Sequence, residues 1–502
     1  MQAYLQGLLT CLQPLNLIML YVCSLVGCVL GAIPGLAGGL GITLILPLTF
    51  ALDTNLSFCM LLGMYVGGIS GSFISSVLVG IPGSAASIAT CYDGYPLTQQ
   101  GKASKALSIG ITASFIGTAI SMIVATIFSG LIADVALMLG PWEYFSLCLM
   151  AITLVAGMSN GSIFKALLAA FMGIWLATIG TDSVTNQMRF TFGSFHLFGG
   201  INVVALLMGT FALQLVATGF AKGNQEMPEV HAGSLKGFGL KLKDFKDHAK
   251  TIIVSLLMGL GIGFLPGMGS GVAGMLAYGQ AKKSSKHPET FGKGEEDGLW
   301  ASETSNNAVL GGAMIPLISL GIPGDGTGVL LLSAMTIHGL TAGPMFIETN
   351  PGLANLIFAA MLLTGVLVFF TMIFTKRWFP LLLKAPYHYL YSAILMICFL
   401  GAFSSTTSMF NVCAVIFFGL FGIALDYFDI PMSPMMLAYI LGGNLENYFR
   451  RGMSYGRGDI TLFVTRPISL IFILIAVYSI MAPIVKMAIK KNRAKKAAGA
   501  EK

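Results

Sequence analysis

The sequence predicts an all-α polytopic membrane protein of about 12 transmembrane helices, organised as two inverted repeats that contain broken helices or re-entrant hairpins. Three observations predict it. Only 10% of the 502 residues are charged, 55% are hydrophobic and the mean hydropathy is +0.82, whereas a soluble domain carries roughly 25% charged residues. Apolar runs of spanning or near-spanning length recur from residue 14 to residue 483. Two Pro-Gly interruptions of those runs appear in the same order in both halves of the chain.

Taken in order, the apolar runs of the first half cover 14–33, 39–52, 56–80, 106–131, 143–157, 162–180 and 201–220. Those of the second cover 251–265, 304–320, 327–342, 352–375, 387–403, 409–425, 430–445 and 461–483. Several are too short to cross about 30 Å of hydrocarbon, which marks them as re-entrant or broken segments. The expected organisation is an N-terminal membrane half at 1–220, a cytoplasmic connector at 221–250, a C-terminal membrane half at 251–485 and a basic cytoplasmic tail at 486–502. The connector holds Lys222, Lys236, Lys241, Lys243, Lys246 and Lys250, and the tail Lys486, Lys490, Lys491, Arg493, Lys495 and Lys496, which the positive-inside rule places in the cytoplasm. No Lys or Arg precedes Lys102, so an external N-terminus fits. Arg450, Arg451, Arg457 and Arg466 conflict with simple counting. If each run between 387 and 445 spans, they fall outside, and one of the three is therefore expected to be a hairpin.

The formal charge of +7 reads as membrane topology, because the basic residues lie in loops and a tail and form no aromatic-interleaved face for nucleic acid. The eight cysteines are dispersed, mostly in apolar runs, and read as buried structural thiols. The six histidines show no ligand spacing, so no metal site is expected beyond a bound sodium, and no other cofactor. Gly101-Lys102 lacks the rest of a phosphate-binding loop, which excludes ATP as the direct energy source in this chain.

The repeat is the most informative feature. Gly31-Ala-Ile-Pro34-Gly35 recurs as Gly263-Phe-Leu-Pro266-Gly267, and Gly80-Ile-Pro82-Gly83-Ser84 as Gly321-Ile-Pro323-Gly324-Asp325. Proline removes a backbone donor and glycine loosens the chain, so each pair breaks a helix where the freed amides have no water to meet. Such breaks survive beside a polar cavity, and matched breaks in two halves point to a transporter site at the repeat interface. An odd number of runs separates the copies, which makes them antiparallel. The competing reading of any single Pro-Gly pair is a turn at the membrane surface. Pro47, Pro141 and Pro434 have no matched partners and read as kinks or helix starts.

Polar residues crowd the breaks: Ser70, Ser72, Ser75, Ser76, Ser84, Ser87, Thr90 and Asp93 in the first half, and Glu303, Thr304, Ser305, Asn306, Asn307, Asp325 and Thr327 in the second. Ionisable groups at membrane depth are costly and functional by default, with Glu303 and Asp325 leading. Asp93, in Tyr92-Asp93-Gly94-Tyr95-Pro96, has an equal claim to be an Asx turn or helix cap. Lys and Arg are nearly absent from the runs, Lys165 excepted, so a bound anion must rely on helix N-terminal amides, hydroxyl and amide donors, and a co-bound cation. The expected substrate-binding residues are Gly35, Ser72, Pro82, Gly83, Ser84, Asn306, Asn307, Pro323, Gly324 and Thr327. Those expected to couple the cation are Pro34, Gly267, Glu303, Ser305 and Asp325, with sodium placed at Glu303, Asn306 and Asp325 because hard ions take oxygen ligands.

At these residues the chain resembles the TctA family, the large membrane subunit of bacterial tripartite tricarboxylate transporters. The likeness covers nearly the whole chain. It is most specific from Ile81-Pro82-Gly83-Ser84 through Asp93-Gly94-Tyr95-Pro96-Leu97 to Gly101-Lys102-Ala103, and from Tyr278 through Pro288-Glu289-Thr290-Phe291-Gly292-Lys293-Gly294 to Glu303-Thr-Ser-Asn306-Asn307-Ala308 and Leu320-Gly321-Ile322-Pro323-Gly324. The resemblance implies a multi-pass protein of the bacterial inner membrane. It would work with a small four-helix TctB-like membrane subunit and a periplasmic TctC-like solute-binding protein, and import citrate-like or dicarboxylate substrates with sodium or protons. Ser70-Gly71-Ser72 departs from the paired glycines usual in that family, and Asp325 stands where a small hydroxyl residue is commoner.

Rival classes are a membrane-embedded enzyme, which needs an acid–base or nucleophile constellation that the His and acidic residues do not form, and a channel, which would show flux without ion coupling. A cation/proton antiporter resting on Glu303, Asp325 or Asp134 is the nearest alternative. It would carry no organic anion.

Overall fold

The structure is a computed structural model that describes residues 2–34, 38–158, 162–182, 185–221, 235, 237–383 and 387–500. Gly35 and, in the connector, residues 222–234 and 236 lie outside the described residues, as do tail residues 501–502. The described residues are mostly helical, with a two-residue antiparallel ladder among them pairing Gly180 with Arg189 and Thr181 with Met188. Seven helices among the described residues are long and apolar enough to cross a membrane, and six shorter apolar helices accompany them.

The chain divides into two compact units, residues 1–137 with 211–419 and residues 138–210 with 420–502, so both copies of the repeat fall in the first. The first copy comprises α1 (Pro14–Ala32), α2 (Gly38–Ile45), α3 (Thr54–Gly71), α4 (Phe73–Val79), α5 (Ile88–Gln99) and α6 (Ala103–Leu137). The second comprises α7 (Ala249–Phe264), α8 (Gly269–Ser284), α9 (Glu296–Leu320), α10 (Gly326–Ile337) and α11 (Pro351–Thr375). The order helix, break, short helix, long helix, break, short helix, long helix is therefore repeated.

Small residues let these helices approach to backbone contact, as expected where lipid offers no hydrophobic drive for association. Along α3, a Cβ on Gly63, Gly67 or Gly71 would stand 2.5, 2.2 or 2.3 Å from the carbonyl oxygens of Leu20, Ser24 and Cys28 on α1. The second copy repeats the device. A Cβ on Gly259 would meet the Ser305 oxygen at 2.3 Å, and one on Gly312 the Leu260 oxygen at 2.4 Å, locking α7 to α9.

Contacts fix the relative directions. Rising numbers on α1 meet rising numbers on α3, and the same holds for α7 with α9, so each pair is parallel. The middle of α3 meets the start of the second copy's short helix, Tyr65 Oη donating to Asp325 Oδ2 at 3.0 Å. Further along, Ser70 Oγ donates to Asn307 Oδ1 at 3.0 Å, and past the end of α4, Thr90 donates to Glu303. Rising numbers from 65 to 90 thus meet falling numbers from 325 to 303, so α3 and α9 are antiparallel and the copies are inverted.

Charge is unevenly placed on this unit. Lys105 bridges Asp244 at 3.3 Å and Glu296 at 2.6 Å, and Lys376 Nζ donates to Ser104 Oγ at 3.0 Å and Ser108 Oγ at 2.8 Å. Gln100 Nε2 donates to the Lys293 carbonyl at 2.7 Å. The starts of α6, α7 and α9 and the end of α11 are thereby gathered at one end with Lys102, Lys241, Lys243, Lys246, Lys250, Lys282, Lys283, Lys286 and Arg377. The other end carries Asp53, Asp134 and Glu348, with no Lys or Arg among its described residues.

In the second unit, helices Pro141–Met158 and Pro467–Ala500 run in parallel, joined by Ser146 and Ser469 hydroxyls 2.5 Å apart. Two of the four arginines of the group, Arg450 and Arg466, are ion-paired. Arg450 pairs with Asp182 at 2.9 Å and Glu446, Arg189 with Glu446 at 2.7 Å, and Arg466 with Glu143 while lying 4.6 Å over the Trp142 ring. The three runs between 387 and 445 form separate helices, Tyr387–Thr406, Met409–Tyr427 and Met432–Tyr455.

Candidate functional site

Each Gly-Ile-Pro-Gly stretch begins by terminating a helix. Gly80 ends α4 and Gly321 ends α9, with φ of 73° and 71°, left-handed values that favour glycine. The chain then turns back beside its own helix. Gly83 N–H donates to the Ser72 carbonyl at 3.3 Å, and a Cβ on Gly83 would stand 2.2 Å from the Gly31 oxygen. In the second copy a Cβ on Gly324 would stand 2.5 Å from the Gly263 oxygen, and Gly267 N–H donates to the Gly324 carbonyl at 2.9 Å. Within each copy the two breaks therefore touch.

The copies also meet each other at the breaks. A Cβ on Gly39 would lie 3.6 Å from Thr327 Oγ1, and one on Gly271 would lie 2.8 Å from the Ala85 carbonyl oxygen, the symmetric contact. All four corners are thus joined in one cluster by these contacts. The N-termini of α2, α8 and α10 and of the turn preceding α5 converge there, presenting amides and the positive ends of helix dipoles.

Ser84 and Asp325 occupy the same place in the two copies, with φ, ψ of −147°, 172° and −147°, 175°. Ser84 Oγ accepts from Ala86 N–H at 3.3 Å and Asp325 Oδ1 from Gly328 N–H at 2.6 Å. Asp325 does the helix-capping that a hydroxyl does in the other copy, and Tyr65 holds its second oxygen.

Glu303 is different. It is fully buried on α9, and neutral groups donate to it: Thr90 to Oε1 and Ser114 to Oε2 at 3.3 Å. Thr90 Oγ1 also lies 3.2 Å from Ser302 Oγ. One turn on, Asn307 Nδ2 donates to Ser114 Oγ at 3.0 Å and the Glu303 carbonyl at 3.1 Å, while its Oδ1 accepts from Ser70 and, at 3.4 Å, from Thr118. No Lys, Arg or His side chain pairs with Glu303 among the described residues. Among the described residues the buried hydroxyls of Ser75, Thr304 and Ser305 lack a hydrogen-bond partner, and the buried Asn306 amide stands beside the Glu303 carboxylate. A cluster of buried oxygens around one carboxylate, with polar atoms unfilled beside it, has the chemistry to take a hard cation or a proton.

The expected residues are therefore placed as follows. Pro82, Gly83, Ser84, Gly267, Pro323, Gly324, Asp325 and Thr327 belong to the joined corners, and Pro34 lies at the break after α1. Glu303, Ser305, Asn306 and Asn307 share the buried stretch of α9. The Ser72 hydroxyl is spent on the Ile69 carbonyl at 2.8 Å within its own helix, and it is the Ser72 carbonyl that meets the corner. Sodium at Glu303 and Asp325 together does not describe the geometry, since the two acids lie in separate nests, one with Thr90 and the other with Tyr65. Tyr65, Ser114, Thr118 and Ser302 were not anticipated; Ser114 and Thr118, spaced i, i+4 on an apolar helix, were the available signal.

Asp93 is neither an Asx turn nor the cap of its own helix. It is buried within α5, and its Oδ1 accepts the N–H groups of Gly292, Gly294 and Glu295, each at 2.8 Å. Asp134 is exposed near the end of α6, which removes it from the site. Six cysteines are buried, Cys91 is half-buried and Cys413 exposed, all free.

The chain is 33% identical over 464 residues, 92% of each chain, to an Agrobacterium vitis protein described as an uncharacterized 52.8 kDa protein in the TAR-I ttuC' 3'region. It is 35% identical over 209 residues to a second Agrobacterium vitis protein, from the TAR-II ttuC' 3'region, covering 41% of this chain and 86% of that one. No solved structure matches. Residues 17–437 match the tripartite tricarboxylate transporter TctA family, and with the inverted, doubly broken repeat already in view this chain is a multi-pass membrane protein of that family, a large subunit of a tripartite tricarboxylate transporter.

Proposed function

We propose that the protein is the permease of a binding-protein-dependent, cation-coupled importer of small carboxylates, of tricarboxylate or dicarboxylate type, working by alternating access. The observation that carries this reading is the meeting of four helix breaks from two inverted copies beside a buried carboxylate without a basic partner. Converging helix N-termini offer an anion partial positive charge and main-chain donors, and the Glu303 nest offers a cation oxygen ligands. The cation offsets the charge of the anion, so each is held better in the presence of the other.

Two inverted copies also supply the machinery for exposing one site to either side, because exchanging the conformations of the copies exchanges the open face. The basic end of the first unit is read as cytoplasmic by the positive-inside rule. Inner-membrane placement, a small TctB-like membrane partner and a periplasmic TctC-like binding protein follow from the family and complete the proposal.

Uptake of radiolabelled carboxylates into vesicles, with and without sodium and a pH gradient, tests it. Accumulation of a di- or tricarboxylate that needs the cation and the binding protein supports the reading; cation exchange without any carboxylate supports the antiporter instead.

A further inference from the structure

The two sequence stretches that most specify this chain, around Asp93-Gly94-Tyr95-Pro96 and around Phe291-Gly292-Lys293-Gly294, lie about 200 residues apart and meet at a single atom. Asp93 Oδ1 receives three main-chain N–H groups from the loop that leads into α9, at Gly292, Gly294 and Glu295, all at 2.8 Å. Gly292 and Gly294 have φ of 87° and 99°, so the loop takes a left-handed path that favours glycine to turn its amides on one carboxylate. The site has no room to spare, since a Cβ on Gly298 would stand 2.2 Å from Asp93 Oδ2. Gln100 Nε2, on the residue that follows α5, fastens the same loop through the Lys293 carbonyl. The rings of Tyr92, Tyr278 and Phe291 pack in sequence over the junction, with centroids 5.3 and 5.5 Å apart.

Asp93 and Thr90 are three residues apart on α5 and so share one face. Thr90 is the residue that reaches Glu303. Among the described residues the second copy's short helix α10 has a lighter tie at its far end, His338 Nε2 lying 3.2 Å from Thr49 Oγ1.

We propose that Asp93 is a positioning residue that latches the re-entrant hairpin of the first copy to the loop before α9, holding Thr90 on Glu303 and closing the basic end of the unit. The link to Glu303 rests on the cation-site reading given above, while the latch itself does not. Substrate passage toward the basic end then requires the three hydrogen bonds to Asp93 to open, whereas the hairpin of the second copy is tied by the single His338–Thr49 contact.

Cys91, half-buried between Thr90 and Tyr92, is a native reporter. In full-length protein with the other cysteines replaced, in membrane vesicles with the basic end outward, labelling of Cys91 by an impermeant maleimide is measured for Asp93→Ala, Asp93→Asn and Gly298→Ala. Asp93→Ala and Gly298→Ala are expected to raise the labelling rate about tenfold or more. Asp93→Asn, which keeps an oxygen acceptor but loses its charge, is expected to raise it less than about threefold. The half-saturating coupling cation for uptake is expected to rise with the labelling rate. Labelling unchanged in folded Asp93→Ala and Gly298→Ala protein overturns the latch. Faster labelling with an unshifted cation requirement keeps the latch and overturns its connection to Glu303. Should Asp93→Ala fail to reach the membrane, Gly298→Ala, which leaves the carboxylate in place, decides the matter alone.

Discussion

Replacing Gly83 with alanine adds one methyl group at the point where the corners of the first copy touch. The new Cβ would lie 2.2 Å from the Gly31 carbonyl oxygen, 2.6 Å from the Ser72 carbonyl oxygen and 3.1 Å from the Ser72 Cα. All three are main-chain atoms of buried helices, so no side chain can swing aside. Relief requires the hairpin to retreat by roughly 1 Å, since carbon and oxygen pack at about 3.3 Å or more. Overpacking of this kind costs about 1–3 kcal/mol, which is about a 5- to 150-fold change in any equilibrium that needs the closed corner. The prediction is a lowered Tm in detergent and a loss of carboxylate uptake of about fivefold or more. Gly324→Ala, whose Cβ would lie 2.5 Å from the Gly263 oxygen and 2.7 Å from Ala313 Cβ, should behave alike. Gly261→Ala, with nothing within 4 Å of the added atom, is the control. Wild-type Tm and uptake in Gly83→Ala would show that the corners do not pack as described.

The remaining predictions concern chemistry and proximity. Glu303→Gln should abolish cation-dependent uptake with membrane levels unchanged, and Asn306→Ala should reduce it by at least tenfold, as read by vesicle uptake beside an immunoblot. A Gly39→Cys, Thr327→Cys pair should cross-link under mild oxidation, because a Cβ at 39 lies 3.6 Å from the Thr327 hydroxyl; absence of the bond would separate the two copies at their corners. Stability should also depend on pH through His248, outside the spanning segments. Burial alone would lower its pKa, yet hydrogen bonds and charge from Asp297, at 2.8 Å, and Glu296 carry it from 6.5 up to about 9. A folded-state pKa above the unfolded value gives stability that is fully present below pH 6.5 and lost as pH rises through about 9, a contribution of about 3 kcal/mol at most. Tm should fall between pH 7 and 9.5 in the wild type, and His248→Gln should remove that part of the slope.

What the sequence made legible is local. Proline and glycine break a helix wherever they stand in an apolar run, so Pro34, Pro82, Pro266 and Pro323 could be matched by order alone, and the odd number of runs between copies gave their inversion. The same local logic showed only part of Asp325. Its charge suggested an ion site, and Ser84 at the same backbone conformation shows that the position also caps the following helix, which either residue supplies. Asp93 was ambiguous because its partners lie about 200 residues away and are main-chain amides, which leave no mark in residue identity. Ser114 and Thr118 were hidden for a related reason, since hydroxyls on an apolar helix bond their own backbone as readily as a neighbour. The acids that pair with Arg450 and Arg466, Asp182 and Glu143, were out of reach of local reading as well, since they stand far off in sequence. Likeness to a family with known partners then joined residues that physical reasoning had already set apart, Glu303, Asn306 and the four corners.

The account holds that a carboxylate and its cation occupy this junction together, with Glu303 serving the cation. Binding of a di- or tricarboxylate to purified protein, titrated with and without sodium or across pH in the wild type and in Glu303→Gln, tests this most directly. The cation should tighten carboxylate binding at least tenfold in the wild type and leave it unchanged in Glu303→Gln. Equal cation dependence in both proteins would contradict the account.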